Sequence, residues 1–227
     1  MGKDKSCYIC GGAATTREHM PPKSFFPKGG DLQLKTVPSC KIHNNDKSGD
    51  DQYLLAHICM NAASGDNLPK KLFLRSIAPA FSRGEGFRKI LATGSVGLPG
   101  GVRKYKVDTS RFDNFFNHLS FAIYFDRYGV PLNRRRHTPH HYYLSLASAD
   151  SEELQRRTFL TTMLGKFFRD FEGMIATYEA DKINESVYRN KILDPGGKDA
   201  SITIAHTFYG IFEAVSLLTR TFTERDA

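Results

Sequence analysis

The chain has 227 residues, 40% of them apolar, with a formal charge of +8 and a pI near 9.3. No run approaches the roughly 20 apolar residues a membrane span needs, and no hydrophobic stretch follows Met1, so neither a membrane partner nor export is expected and the reading is cytoplasmic. A basic surface attracts polyanions, nucleic acid foremost, and the excess looks dispersed: residues 1–62 hold 8 Lys/Arg against 6 Asp/Glu, and the remainder 24 against 18.

Residues 1–48 are dense in Cys, His, Gly, Pro and Lys and read as a metal-stabilised unit too small to build a core alone. Residues 49–62 read as a helix, with Ser48 and Asp51 spaced as a capping-box variant at its start. Residues 64–70 and 94–101 read as loops, and between them Leu72, Phe73, Ile77 and Phe81 suggest a short helix broken near Pro79. Residues 102–107 alternate as a strand. Residues 109–128 give the clearest helix, where Phe112, Phe115, Phe116, Leu119, Ile123 and Tyr124 trace one stripe and Gly129 and Pro131 close it. A strand is expected over 141–147. A second long helix is expected over 151–172, with Leu154, Phe159, Leu160, Leu164, Phe167, Phe168 and Phe171 inward. Residues 186–193 and 200–208 alternate as strands, and 211–222 suits either type.

Cys7-Tyr8-Ile9-Cys10 is a CxxC knuckle followed by Gly11 and Gly12, and Cys40-Lys41-Ile42-His43 is a CxxH pair. Three thiolates and one imidazole make a complete tetrahedral set for a structural Zn²⁺, and such a site adds the folding energy a short unit lacks. Absent an export signal, metal binding in a reducing compartment is the better reading of these cysteines than disulfides. Cys59, beside Ile58 and Met60, reads as a buried structural thiol.

Glu18-His19 lies inside the loop closed by that metal, and Asn44 follows His43 directly. Closing the site brings a carboxylate, an imidazole and a carboxamide together. Phosphodiester hydrolysis needs such a set: oxygen ligands such as Glu18 and Asn44 for Mg²⁺ or Mn²⁺, and a base titrating near neutrality, such as His19, to activate water. Neighbours in a strand point to opposite faces, so Glu18 and His19 share a site only where the strand ends, and Pro21-Pro22 ends it.

Cys7-x₂-Cys10, Glu18-His19, Pro21-Pro22 and Cys40-x₂-His43-Asn44-x₂-Lys47 together resemble the zinc-knuckle branch of the HNH, or ββα-metal, endonucleases, over about a quarter of the chain. The resemblance implies Cys7, Cys10, Cys40 and His43 as zinc ligands, Glu18 and Asn44 as ligands of the catalytic cation and His19 as general base. It also implies DNA rather than RNA as substrate, and an intracellular setting of bacterial or phage type. Three positions depart from the family pattern. Glu18 stands where Asp is commoner, and His43 where Cys is usual. The family's central Asn has no clear counterpart beyond Asp31 or Gln33. The expected architecture is α+β: a ββα-metal module over residues 1–62, then a larger α+β region over 63–227 with two long helices and several antiparallel strands, suited to binding substrate, a protein partner or a small-molecule regulator.

Arg17, Lys23, Lys28 and Lys41 surround the expected site and suit phosphate contacts. Lys47, one helical turn from Asn44, suits either a phosphate or an i,i+4 pair with Asp51. Arg134-Arg135-Arg136 reads either as a backbone-contacting loop, with Tyr142 or Tyr143 stacking on bases, or as a solvated loop before a strand. A second metal site from His137, His140 and His141 is not expected, and His57, His118 and His206 read as satisfied core or surface residues. The competing reading of the whole is a non-catalytic zinc-ribbon nucleic-acid binder in which Glu18, His19 and Asn44 are ordinary polar residues.

Overall fold

A computed structural model of the chain describes residues 6–28, 34–45, 47–62, 67–83, 85–101, 103–146, 150–170, 175–178 and 186–221. Strands β1 (Thr16–His19) and β2 (Thr36–Ser39) form an antiparallel pair, with Glu18 opposite Val37 and His19 opposite Thr36. The short α1 (Lys41–Asn45) and the 15-residue α2 (Ser48–Ala62) follow. The capping box does not form. The helix begins at Ser48, the amides of Asp50 and Asp51 bond to the carbonyl of Lys47, and the Asp51 carboxylate turns to the Lys47 ammonium.

Three short helical pieces come next: α3 (Leu68–Leu72), a π turn (Phe73–Ile77) and α4 (Ala78–Arg83). Residues 68–70, read as loop, are helical because the Asn67 side chain accepts from the Lys70 amide at 3.0 Å. The wide turn ahead of Pro79 makes room for a ring that would strike the carbonyl four residues back in a regular helix. Helix α5 (Glu85–Ala92) was not expected from the sequence, since Gly84 just before it and Gly86 in its first turn look like breakers. The expected strand over 102–107 shrinks to a minimal hairpin, β3 (Val96–Gly97) with β4 (Arg103–Lys104).

Helix α6 (Thr109–Tyr128) spans the expected residues, opened by an Asp108 cap on the Ser110 amide and closed by Gly129 at φ 73°. The remaining strands form one antiparallel sheet: β5 (His137–Tyr143), β6 (Ile175–Tyr178), β7 (Tyr188–Leu193), β8 (Ile202–Phe208) and β9 (Phe212–Arg220), in spatial order β5-β9-β8-β7-β6. The structure is therefore mixed helix and strand with antiparallel sheets. The first strand of the sheet starts at 137 rather than 141. Pro139 sits inside it without disrupting a ladder because β5 is an edge strand. Helix α7 (Ser151–Asp170) covers most of its expected span, but Leu154 and Phe159 are 45% and 63% exposed rather than inward. The side chains of Phe167 and Phe168, and residues Ala147, Phe171 and Glu172 altogether, lie outside the described residues.

Helix α6 is buried on several sides, from Phe112 through Phe125, because it lies between the sheet and the N-terminal elements. Phe115 packs on Phe208 of β8 and on Phe25, which follows β1, and those two rings also meet each other. One hydrophobic cluster accordingly runs from Cys7 to Leu218. A chain of buried polar groups crosses the sheet and ends on α6. Since the Asn117 carbonyl oxygen accepts from His141 Nε2 at 3.0 Å, every other direction follows. Ser216 donates to His141 Nδ1 (2.8 Å), His206 Nε2 donates to Ser216 (2.9 Å), Tyr188 donates to His206 Nδ1 (2.8 Å), and Asn190 donates to Tyr188 (3.3 Å).

Candidate metal centre and adjoining polar pocket

The ligating atoms of Cys7, Cys10, Cys40 and His43 lie within 4.8 Å of one another. His43 Nδ1 stands 3.5 Å from Cys7 Sγ and 3.2 Å from Cys40 Sγ, close to the edge of about 3.5 Å that tetrahedral Zn–S and Zn–N bonds produce. The backbone prepares the site. The Cys7 amide bonds to the Gly12 carbonyl at 2.7 Å and the Gly11 amide to the Cys7 carbonyl at 2.9 Å, with Gly11 at φ 70°. Burial alone would raise the Cys7 thiol, but the amides of Cys10, Ile9 and Cys40 and the His43 ring outweigh it and lower the pKa to about 6. A thiolate is therefore held ready for a cation. The four residues are close enough to bind one metal ion, compatible with structural zinc, and no other such group of His, Cys, Asp or Glu occurs among the described residues. His137 instead bonds to the carbonyls of Asn133 and Ala200, and His141 to Asn117 and Ser216. Cys59 is fully buried, and burial lifts its thiol to about 12.

The knuckle ties β1, β2 and α1 together: the Tyr8 amide bonds to Pro38 in β2, and the Asn44 amide to Cys40. Beside it, Glu18, His19 and Lys47 line one pocket with Tyr8, Pro22, Phe115, His118, Leu119 and Ala122. Strand β1 ends at His19 as expected, and both members of the acid–His pair reach this pocket. Glu18 is the inward residue, 6% exposed. Burial raises its pKa, opposed by Lys47.

Lys47 is itself only 3% exposed. Its three N–H donors meet Glu18 Oε1 at 2.9 Å and the two Asp51 oxygens at 3.1 and 3.0 Å. A phosphate contact by Lys47 is thus corrected: the ammonium is saturated by two buried carboxylates and points inward. Asn44 lies against the same strand, its amide 3.5 Å from the Arg17 carbonyl. Asp31 and Gln33 lie outside the described residues.

His19 is held below the usual imidazole range by burial, and by the positive charges of Lys23 and Lys47. It is neutral at pH 7 and able to accept a proton. His118 reaches the pocket from α6. Burial first, then Lys47 and His43, lower it to about 4. Burial keeps the Tyr8 phenol protonated, so it donates to His118 Nδ1 at 2.8 Å and leaves the His118 proton on Nε2. Sequence reading placed His118 in the core or on the surface. The only sign of another role was a polar run (Asp113, Asn114, Asn117, His118) on an otherwise aromatic helix.

Among the expected phosphate contacts, Arg17, Lys23, Lys28 and Lys41 are exposed, and Arg17 Nε also donates to the Thr36 hydroxyl at 2.7 Å. Arg134, Arg135 and Arg136 occupy an exposed turn leading into β5. Tyr143 is not free to stack on a base: it is buried, and its hydroxyl donates to Asp113. Tyr142 is half-buried. No helix among the described residues is long and apolar enough to cross a membrane. No family model, curated protein or solved structure matches this chain, so a functional reading has to stand on the metal centre and its pocket.

Proposed function

We propose that the chain is a zinc-stabilised HNH-type endonuclease that hydrolyses phosphodiester bonds, with DNA as the substrate the motif resemblance implies. The observation that carries this reading is the convergence of Glu18 and His19 on one pocket beside a three-cysteine, one-histidine metal centre. A strand pair followed by a helix supports it. In this scheme neutral His19 accepts a proton from water. The water oxygen forms the new bond to phosphorus, the bond to the 3′ oxygen breaks, and that oxygen takes a proton from solvent, leaving a 3′-hydroxyl and a 5′-phosphate. Glu18 and Asn44 are the residues that would hold a Mg²⁺ or Mn²⁺, which would supply Lewis-acid stabilisation of the negative charge that develops. The Asn44 side chain, whose amide donates to the carbonyl of Arg17 just before Glu18, has a carbonyl oxygen to offer. Glu18 already gives Oε1 to Lys47, which fixes its carboxylate in place.

That ion pair is also the observation favouring a second reading. A carboxylate buried and neutralised by a lysine is what a non-catalytic zinc-ribbon binder would have at this position. The test is incubation of supercoiled plasmid with purified protein, with and without Mg²⁺ or Mn²⁺, beside His19→Ala. Metal-dependent nicking by the wild type alone supports the hydrolytic reading. Inert protein carrying about one zinc per chain supports the binding module. Equal cutting by His19→Ala refutes the assignment of the base.

A further inference from the structure

Residues 67–107 contain nine Lys/Arg against one Asp/Glu, a net of +8, which equals the formal charge of the whole chain. Residues 108–227 hold 15 against 16, which is why a division at residue 62 makes the excess look even. We propose that this arm, α3 to α5 with the β3–β4 hairpin, is a nucleic-acid backbone-binding surface distinct from the Arg134–Arg136 turn.

Leu72, Ile77 and Leu91 are buried and anchor the arm to the core. Lys70, Arg75, Arg88, Lys104 and Lys106 are exposed. Among the described residues Lys70, Arg75, Arg88 and Lys104 form no side-chain ion pair, whereas Lys89 meets Glu85 at 2.9 Å across two exposed side chains. A concentration of unneutralised, outward cations on fixed elements is the electrostatic footprint of a polyanion site.

The arm follows directly on α2, whose first turn supplies Asp51 to the Lys47 cluster. Fifteen helical residues span about 22 Å and α3 packs back against α2, so the start of the arm and the pocket fall within one duplex turn of about 34 Å. A bilayer surface fits less well. The exposed apolar residues Leu74, Ile90, Val96 and Leu98 are scattered over the π turn, α5, β3 and a loop. Helix α5 turns Leu91 and Phe87 toward the core, which leaves no continuous apolar face to sink into lipid.

The choice of nucleic acid as the polyanion rests on the phosphodiester reading above, so the test separates the two. Anisotropy of a fluorescein-labelled random-sequence DNA duplex is measured against salt concentration without added Mg²⁺ or Mn²⁺, for four proteins. These are the wild type, the quadruple variant Lys70→Gln/Arg75→Gln/Arg88→Gln/Lys104→Gln, the triple variant Arg134→Gln/Arg135→Gln/Arg136→Gln, and His19→Ala. Each phosphate contact contributes about 0.9 to the slope of log K against log salt. The quadruple variant should therefore lose about 3.6 from that slope while keeping the wild-type circular dichroism and Tm. An unchanged slope in the quadruple variant overturns the proposal, as does a slope lost only in the Arg134–Arg136 variant. So does wild-type protein that ignores the duplex and sediments with phosphatidylserine vesicles. Arm-dependent binding without any cleavage in Mg²⁺ or Mn²⁺ leaves this surface standing and removes the hydrolytic reading instead.

Discussion

His57 makes the response of this fold to acid calculable. Its ring is 5% exposed, packed 4.4 Å from the Tyr53 ring and 5.9 Å from Phe112, and its Nε2 has no hydrogen-bond partner among the described residues. Burial, then the nearby Arg111, lowers its pKa from 6.5 to about 4. At pH 7.5 the imidazole is neutral in both folded and unfolded chains and contributes nothing. Below about 6.5 the unfolded chain takes up a proton that the folded site refuses, so stability falls as pH falls. Below about 4 both states are charged and the loss is complete. At pH 4.5 the loss from this one residue is about 2.5 kcal/mol. The thiolates of the metal centre also protonate in acid, so the informative quantity is the difference between wild type and His57→Phe in urea unfolding. At pH 7.5 the variant should match the wild type, or exceed it by about 1 kcal/mol through removal of an unpaired buried nitrogen. At pH 4.5 the gap should be wider by about 2.5 kcal/mol. A gap that stays constant from pH 7.5 to 4.5 would show that His57 accepts its proton in the folded state, and would refute the argument.

Lys47→Met leaves Glu18 and Asp51 as buried carboxylates without a counter-charge and should cost about 3–5 kcal/mol at pH 7, seen as a lowered urea midpoint. An unchanged midpoint would mean that solvent reaches the cluster. Ser216→Ala removes the link between His206 and His141 and leaves two buried ring nitrogens unpaired, which should cost about 2–4 kcal/mol and roughly 5–15 °C in Tm; calorimetry decides. Cys40→Ser should abolish stoichiometric zinc, read by elemental analysis, while retained metal would mean that a different residue completes the set.

The α6 helix was legible because one helix-period stripe and the Gly129 and Pro131 that close it agree. Strand β8 was legible for a similar reason, its residues alternating inward and outward over Ile202–Phe208. Strand β5 was misplaced by four residues because Arg134–His140 looks like a loop. Only the tertiary structure shows that His137 is capped by two carbonyls and that Pro139 lies on an edge. Strand β9 was undecided because the apolar and polar residues of Phe212–Arg220 follow no single period. The outward Leu154 and Phe159 of α7 show that an apolar helical pattern locates a face without supplying its partner. The metal set was readable from two x₂ spacings. The Lys47 cluster was only half readable: the i,i+4 pair with Asp51 follows from helix geometry, but the contact with Glu18 depends on which way β1 turns. His118 was signalled only by the polar run on α6, and its place in the pocket was not legible, since its Tyr8 partner lies 110 residues away.

That long separation explains why the pocket depends on more than the knuckle. The metal ligands can fix β1, β2 and α1, yet the far wall of the pocket is Phe115, His118, Leu119 and Ala122, all from α6. The same helix holds the start of α2, through Arg111 at 2.7 Å and Asn114 at 2.6 Å from the Asp50 carboxylate, and it receives the buried polar chain at Asn117. A single element therefore sets the depth of the pocket, the angle of the helix bearing Asp51 and the packing on the sheet. The region beyond residue 62 is thus joined to the pocket by packing and hydrogen bonds that can be named.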